Sequence, residues 1–395
     1  MTAELPLPPG AQALLEAPYP QFSTGELHRR REAVEAVLAR LEVDHLVAYG
    51  IGTRGGAVGW LSQWVATNEA HLIVSPGEEN ELLIQYFNHV PLATVMARDA
   101  HVRWGGPSSI TTTIEILRAR GAANGRVGVM GPLPIGQLRA LEAAVGPVVD
   151  CNAAYGRLRL VKSEEELTWF ALGAHLGDRA IAALRDDAHV GMNERELGAL
   201  VESTWLPLGG VNGLHYFAVN DMIDPQYCVP RQHPSTRALR TGDVLTTEIT
   251  ANFFEYGGQV LRTFSVGAEP TPLYRELHDV AEAAFAALSA LLRPGTTAAE
   301  LVAVSSVIEE AGFTIYDDLI HGYGGGYLAP ILGSASRPNE PVPDFVLEEN
   351  MMLVVQPNVV TTDHRAGVQT GECLIVGPDG PRRLHQAPRG LLRIG

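Results

Sequence analysis

A histidine in a glycine-rich stretch, His321, is the clearest candidate for acid–base chemistry in this chain. It lies between Ile320 and Gly322 in the segment IHGYGGG, where few apolar neighbours would explain simple packing. A histidine can accept or donate a proton near neutral pH, which suits general acid or base catalysis. We therefore predict a catalytic or substrate-contact role for His321, with a structural hydrogen bond as the alternative. The glycines beside it either allow a tight turn or make room for a ligand.

Four segments of the second half of the chain carry further polar side chains in a recognisable frame. They are GDVLTTEITANFFEYGGQVLRTFSVG (Gly242 to Gly267), IHGYGGGYLAPILG (Ile320 to Gly333), LEENMMLVVQPNV (Leu347 to Val359) and AGVQTGECLIV (Ala366 to Val376). Their glycines, the proline and the Arg-Thr-Phe motif resemble the active-site segments of the creatinase, aminopeptidase P and prolidase family, in family order. Four matches in order argue against chance.

The positions at which that family binds its metal ions are altered here. The resemblance places Glu248 and Gln259 at two Asp positions, Gly325 at a His position, and Gln356 and Gly371 at two Glu positions. Hard cations need several oxygen or imidazole donors. We therefore expect no metal and no other cofactor, and interpret the cavity as re-equipped for chemistry without metal. The alternatives are a decayed enzyme and a misaligned hairpin.

The resemblance also implies roles for the residues that remain. Glu248 would keep one negative charge in the cavity, able to orient a substrate or polarise a water. The family's histidine before the Gly-Asp turn is replaced by Arg231, with His233 two residues on and therefore on the same face of a strand. We predict His321, His233 and Glu248 as catalytic residues, although His233 is equally well interpreted as a surface histidine. The predicted substrate-binding residues are Arg231, Arg262, Gln259, Gln356, Tyr323, Tyr327 and Glu372.

Composition and charge restrict the partners and the compartment. The chain has 395 residues, 29 Lys and Arg against 45 Asp and Glu, and a formal net charge of −16, with no basic run. Nucleic acid and anionic membranes are therefore not expected as partners. The first residues lack the pattern of a signal peptide, and no stretch has the apolar length of a membrane helix. Three widely spaced cysteines fit neither a disulfide framework nor a zinc site. We expect a cytoplasmic protein.

Hydrophobic periodicity separates two domains behind an N-terminal extension. Amphipathic helical stretches alternate with short apolar strands up to about residue 154, and a cap-like Ser163 before three Glu starts a long helix. We predict an extension over 1–21, a creatinase-like αβ domain over 22–154 and a catalytic domain over 155–395. The resemblance implies an α+β class, with the pita-bread fold in the catalytic domain, and a homodimer.

Three functions are compatible with these residues. The first is a metal-independent, creatinase-like hydrolase that cleaves a C–N bond of a small polar molecule, with histidine acid–base chemistry. The second is a lyase or another proton-transfer enzyme acting on a small metabolite. The third is a binding protein without catalysis. A metallo-aminopeptidase is disfavoured because it needs the altered ligands, and Gly325 and Gln356 also argue against creatine as the substrate.

Overall fold

The computed structural model describes residues 5–52, 56–123 and 125–395. It divides the chain into two compact units. One is Ala17–Arg159, and the other combines Leu160–Gly395 with residues 5–16. The sequence predicted boundaries after residues 21 and 154, and the two units of the structure are divided after residues 16 and 159. Within the described residues, no helix has both the length and the apolar character needed to cross a membrane.

The smaller unit, Ala17–Arg159, is built from a mixed sheet and helices. After α1 (Ala11–Glu16), which belongs to the larger unit, the helices are α2 (Thr24–Leu41), α3 (Gly56–Ser62), α4 (Val90–Met96), α5 (Ser109–Ala119), α6 (Ile135–Val145) and α7 (Asn152–Leu158). The strands are β1 (His45–Gly50), β2 (Ala70–Val74), β3 (Glu81–Ile84), β4 (His101–Trp104), β5 (Val127–Met130) and β6 (Val149–Asp150). They pair in the order β4-β3-β2-β1-β5-β6, and β1 and β2 are buried along their whole length, as their apolar sequences predict.

The larger unit contains the segments singled out in the sequence. Its remaining helices are α8 (Glu164–Asp186), α9 (Glu194–Trp205), α10 (Pro272–Ala290), α11 (Ala298–Val304) and α12 (Val307–Glu310). Its strands are β7 (Gly210–Asp221), β8 (Asp243–Phe253), β9 (Tyr256–Val266), β10 (Thr314–Ile315), β11 (Ile320–Tyr323), β12 (Tyr327–Leu332), β13 (Met352–Val355), β14 (Val359–Val360), β15 (Gly371–Val376), β16 (Pro381–Arg383) and β17 (Leu392–Ile394).

The main sheet of this unit brings the four sequence segments side by side. Its order is β12-β11-β13-β15-β9-β8-β7, with antiparallel neighbours throughout this path. β8 and β9 form a long hairpin, and β15 joins it to β13 and β11. The residues at the positions that resemble the family's metal ligands therefore come from segments far apart in sequence.

Helix starts and the core hold this sheet in place. Ser163 accepts a hydrogen bond from the backbone N–H of Glu166, whose carboxylate accepts one from Ser163, so the predicted cap is confirmed as a capping box. On α10, Leu277, Ala281 and Leu288 follow the helical period and lie in one buried cluster with residues of β13 and β15. That packing fixes the strands on which the site is built.

Two segments around the site are strands. His321, in the glycine-rich stretch of the sequence, lies in strand β11, because residues 320–322 pair with both β12 and β13. Residues 212–221 belong to strand β7, which pairs with β8 along nearly its whole length. Segment 333–345 contains no regular element.

Candidate functional site

A chain of hydrogen bonds links three of the predicted site residues. Gln259 pairs across the hairpin with Thr250, two residues from Glu248, so the side chains of Glu248 and Gln259 share a face. The amide Nε2 of Gln259 donates to Glu248 Oε1 at 2.6 Å and lies 3.3 Å from Gln356 Oε1. Gln356 Nε2 in turn donates to the backbone oxygen of Asp318 at 3.3 Å. One amide thus donates to the carboxyl group, and the second amide is bonded to the first.

Glu248 is a buried carboxyl group that stays protonated at neutral pH. Burial raises its pKa to about 8, and the negative charges of Asp317 and Asp318 add to the rise. A buried carboxyl with no cationic partner remains neutral because ionisation in a low-dielectric surrounding is costly. Because Gln259 donates to Oε1, the proton of the neutral acid belongs on Oε2. Glu248 can therefore donate a proton to a bound molecule.

His321 is its counterpart, a buried imidazole that stays unprotonated. Its Nδ1 lies 3.0 Å from the backbone oxygen of Gly322. A carbonyl oxygen only accepts, so Nδ1 carries the hydrogen and Nε2 keeps its lone pair. Nε2 is buried and has no hydrogen-bond partner within the described protein. Burial lowers the pKa of His321 to about 4, so the ring is a neutral base at physiological pH.

Tyr327 forms a flat wall against this histidine. The two rings are stacked, with centroids 3.8 Å apart and an interplanar angle of 13°. Tyr327 is 49% exposed, so its ring presents one face to His321 while much of it remains accessible. Burial of its hydroxyl, together with the charges of Asp317, Asp318 and Glu248, raises its pKa above the usual range. The predicted contact role of Tyr327 fits this placement and stays a prediction.

Two acidic residues of the site were missed in the sequence. Asp317 and Asp318 precede strand β11, and their charges act on both Glu248 and Tyr327. Burial raises the pKa of Asp317, and the neighbouring charge of Asp318 raises it further. The signal was present as two consecutive acids three and four residues before His321. It was overlooked because neither acid occupies a metal-ligand position in the resemblance.

Arg262 and Glu372 lie in a separate, buried ion cluster. Glu372 pairs with Val260 in the sheet, next to Gln259, so alternation turns it to the face opposite Gln259. Arg262 Nη2 donates to Glu372 at 2.6 Å, and Arg383 Nε donates to its other oxygen at 2.6 Å. Although burial alone would raise it, the bond from Arg383 and the charge of Arg262 bring the pKa of Glu372 to about 2. The geometry favours a structural role for both residues.

The remaining predicted residues are placed apart from Glu248. Arg231 and His233 are exposed, and the Arg231 guanidinium lies 3.7 Å from the centre of the Tyr227 ring. Neither forms a hydrogen bond or ion pair with Glu248 or His321 in the described part of the chain. Tyr323 is 4% exposed and lies in the apolar cluster beneath α8. The predicted roles of these residues stay predictions, without support from the geometry.

Cys373, which stands beside Gln259, is not equipped as a nucleophile. Its Sγ accepts from the backbone N–H of Gln259 at 3.3 Å, and the residue is fully buried. Burial raises the pKa of this thiol to about 12. Because thiolate is the reactive form, the cysteine acts as a small apolar side chain.

Comparison with protein families identifies the frame. A model of metallopeptidase family M24 matches residues 172–378, more than half of the chain. The chain belongs to this family. Among M24 relatives, the Xaa-Pro dipeptidase of Pyrococcus horikoshii is 25% identical over 271 residues, which are 67% of this chain and 74% of the relative. That of Pyrococcus furiosus is 27% identical over 240 residues, 60% of this chain and 66% of the relative. Both relatives are, by name, hydrolases.

Solved structures confirm the fold. The prolidase of Pyrococcus horikoshii superposes with a TM-score of 0.77 at 19% identity, covering 92% of this chain and all of that one. The Xaa-Pro dipeptidase of Bacillus anthracis superposes with a TM-score of 0.79 at 20% identity, covering 93% of this chain and all of that one. The predicted pita-bread fold of the M24 family is therefore correct. At these identities the structures speak for the fold alone.

The metal centre that the family name implies does not fit the donors of this chain. Within residues 5–52, 56–123 and 125–395, no group of three or more His, Cys, Asp or Glu side chains is arranged to hold a metal ion. At two of the altered positions, the local backbone disfavours any side chain. A Cβ on Gly371 would meet the backbone oxygen of Val355 at 2.5 Å, and Gly325 has a φ of 80° that side-chain-bearing residues rarely adopt. The local backbone at these two positions therefore favours glycine over a residue whose side chain could bind a metal.

Proposed function

We propose that this M24 member is a hydrolase that cleaves a C–N bond of a small polar substrate without a metal centre. The observation that carries the proposal is the replacement of ligand carboxylates by the amides of Gln259 and Gln356 next to a neutral Glu248. His321 is linked to this group through Tyr327, which stacks on its ring and is acted on by the charge of Glu248. The metal-free mechanism and the small substrate are our inference. The hydrolase class is supported by the named activities of the relatives.

His321 and Glu248 would have different roles, one as general base and the other as general acid. His321 Nε2 would accept a proton from the attacking water as the oxygen bonds to the substrate carbon. Glu248 would donate its proton to the nitrogen as the C–N bond breaks, and the proton held by His321 would then return the acid to its starting form. Such acid–base assistance typically contributes roughly 10²–10⁴-fold each. A pair of groups whose surroundings push their pKa values apart is suited to this task.

Two other functions of the same cavity need separate tests. Elimination by a lyase would use the same base and acid but would add no water to the product. Simple binding would leave the molecule unchanged. The Xaa-Pro dipeptidase activity of the relatives also breaks a C–N bond, and the donor set argues against it here because it lacks the family's metal ligands.

The deciding experiment measures turnover of small amides, amidines and cyclic C–N compounds in heavy-oxygen water, with a chelator present. We expect one labelled oxygen in the product. Glu248→Gln and His321→Ala should each lower kcat/KM by roughly 10²–10⁴-fold, whereas His28→Ala, at an exposed histidine of α2, should leave it unchanged. An unlabelled product would identify a lyase. Activity only after addition of a divalent metal would refute the proposed mechanism.

A further inference from the structure

A cavity is lined by Asp318 and by residues of β12, the strand that pairs with the strand of His321. Its volume is about 610 Å³, and all its lining residues lie between positions 318 and 345 of the larger unit. They are Asp318, Ala329, Pro330, Ile331, Asn339, Glu340, Pro341, Pro343 and Phe345. Two of these residues are carboxylates and none is Lys, Arg or His. The remaining walls are largely apolar, so the cavity combines a negative end with an apolar body.

The negative end of the cavity is linked to Gln356, Glu248 and Tyr327 through Asp318. Asp318 lines the cavity, its backbone oxygen accepts from Gln356, and its charge acts on Glu248 and Tyr327. Asp317, next to it, is half-buried and accepts a hydrogen bond from the backbone N–H of Asp318 at 2.8 Å. Asp317 and Asp318 are therefore adjacent carboxyl groups at this end of the cavity, and a cation would relieve the repulsion between them.

A second observation points to a ligand in this region. His321 is 0% exposed, and its Nε2 has no hydrogen-bond partner within the described protein. His321 pairs across the sheet with Ile331, a lining residue of the cavity, and the charge of Asp318 acts on its ring. Residues paired across antiparallel strands project from the same face. A buried polar atom without a partner normally has one in the complete system.

The cation Arg337 does not neutralise Asp317. Arg337 is exposed, and its charge opposes the rise in the pKa of Asp317 without overcoming the effect of burial. Its Nη1 lies 3.4 Å from Asn339 Oδ1, and Asn339 donates to Asp318. Asp318 is thus held in position by a neutral amide, which orients its carboxylate and brings no positive charge to it.

We propose that the substrate is an organic cation with an apolar body, its amine or amidinium group held by Asp317 and Asp318 and its body lying in the 610 Å³ cavity. This inference rests on the proposed function, because it names the class of molecule that reaches Glu248 and His321. The flat stack of Tyr327 on His321 favours a planar cationic group. The ammonium or amidinium group contributes charge, and the Pro, Ile and Phe walls contribute apolar contact.

The test compares two ligands of nearly equal shape, benzamidine and benzamide, by calorimetric titration of the full chain at neutral pH. Benzamidine is cationic under these conditions and benzamide is neutral. We expect benzamidine to bind at least about tenfold more tightly, since each factor of ten is about 1.4 kcal/mol, which one charged hydrogen bond provides. Equal affinities for the two ligands would overturn the proposal.

Variants locate the binding. Asp317→Asn and Asp318→Asn keep the shape and one acceptor oxygen while removing the charge, and each should reduce the preference for benzamidine to less than about threefold. Asp379→Asn, an exposed position in the β15–β16 turn, changes net charge equally and should keep the full preference. A preference retained in both aspartate variants would refute the site. Titration of the unaltered protein remains decisive if a variant fails to fold.

The outcome separates this inference from the proposed function. Charge-selective binding that depends on the two aspartates, in a protein that hydrolyses nothing, would support the cation site and contradict the hydrolase. Metal-free hydrolysis of neutral amides, with no preference for benzamidine, would contradict the cation site and leave the hydrolase standing.

Discussion

Glu248 and His321 are buried groups that carry no charge at neutral pH, although one is an acid and the other a base. Burial disfavours the charged form of both, which raises the pKa of Glu248 to about 8 and lowers that of His321 to about 4. Each is then in the protonation state that its proposed step requires.

The first prediction concerns activity. Catalysis needs His321 unprotonated and Glu248 protonated, so kcat/KM should be flat between about pH 4 and about pH 8 and fall on both sides. The measurement is the pH profile of kcat/KM on a compound that the turnover experiment shows to be a substrate. A profile that rises through pH 8 would show that ionised Glu248, rather than the neutral acid, is the active form.

The second prediction concerns stability. Between the unfolded value of 4.5 and the folded value of about 8, Glu248 is protonated in the folded protein and ionised in the unfolded one. The folded state therefore holds the extra proton, and the contribution of this group to stability declines as pH rises through that range. Glu248→Gln should reduce the decline, measured as melting temperature against pH. Identical slopes in variant and parent would contradict the assigned burial of Glu248.

Strand alternation explains why neighbouring residues of β9 have different roles. On β9, Gln259 turns to Glu248, whereas Arg262, three positions on, turns to Glu372 and the ion cluster. The Arg-Thr-Phe motif that identified the hairpin thus belongs to the support of the sheet. The amides of Gln259 and Gln356 belong to the site around Glu248.

The third prediction tests that support. Glu372→Gln leaves Arg262 and Arg383 without their shared carboxylate, so we expect a loss of about 3–5 kcal/mol in unfolding free energy. The exposed pair of Arg393 and Glu269 offers a control, and Glu269→Gln should cost less than about 1 kcal/mol. Denaturant unfolding measures both. A loss below about 1 kcal/mol for Glu372→Gln, the range of surface pairs, would refute the structural role.

The fourth prediction concerns the closed backbone at Gly371. A methyl group there would lie 2.5 Å from the Val355 oxygen and 2.8 Å from the Gln356 Cα. Gly371→Ala should therefore cost about 1–3 kcal/mol or more. Gly326→Ala, where a Cβ meets nothing within 4 Å, should stay within about 0.5 kcal/mol. A tolerated Gly371→Ala would mean that this position could again carry a ligand side chain.

The sequence predicted more of the fold than of the site, and the reason is physical. Apolar periodicity, the Ser163 cap and the Arg-Thr-Phe frame are local patterns, and they predicted the buried strands, the long helix and the hairpin. Asp317 and Asp318 matter because the fold brings their charges close to Glu248 and Tyr327, which no local pattern expresses. Arg262 and Glu372 were assigned to substrate because their turn to the opposite face depends on sheet register.

At the scale of the whole molecule, an M24 frame is combined with a cavity that lacks the expected donors. The formal net charge of −16 would attract a cationic substrate at low salt, because unscreened charge steers diffusional encounter. The homodimer that the resemblance implies remains a proposal for light scattering to test. Neither point alters the chemistry assigned to Glu248 and His321.

The metal content of the purified protein tests the central claim most directly. Plasma mass spectrometry would be run after brief chelation and again after loading with manganese, iron or zinc. We predict well below one ion per chain in both states, because amides and glycines stand where carboxylate and imidazole donors would be needed. One or two ions bound per chain after loading would contradict the account and make this protein a metallopeptidase like its named relatives.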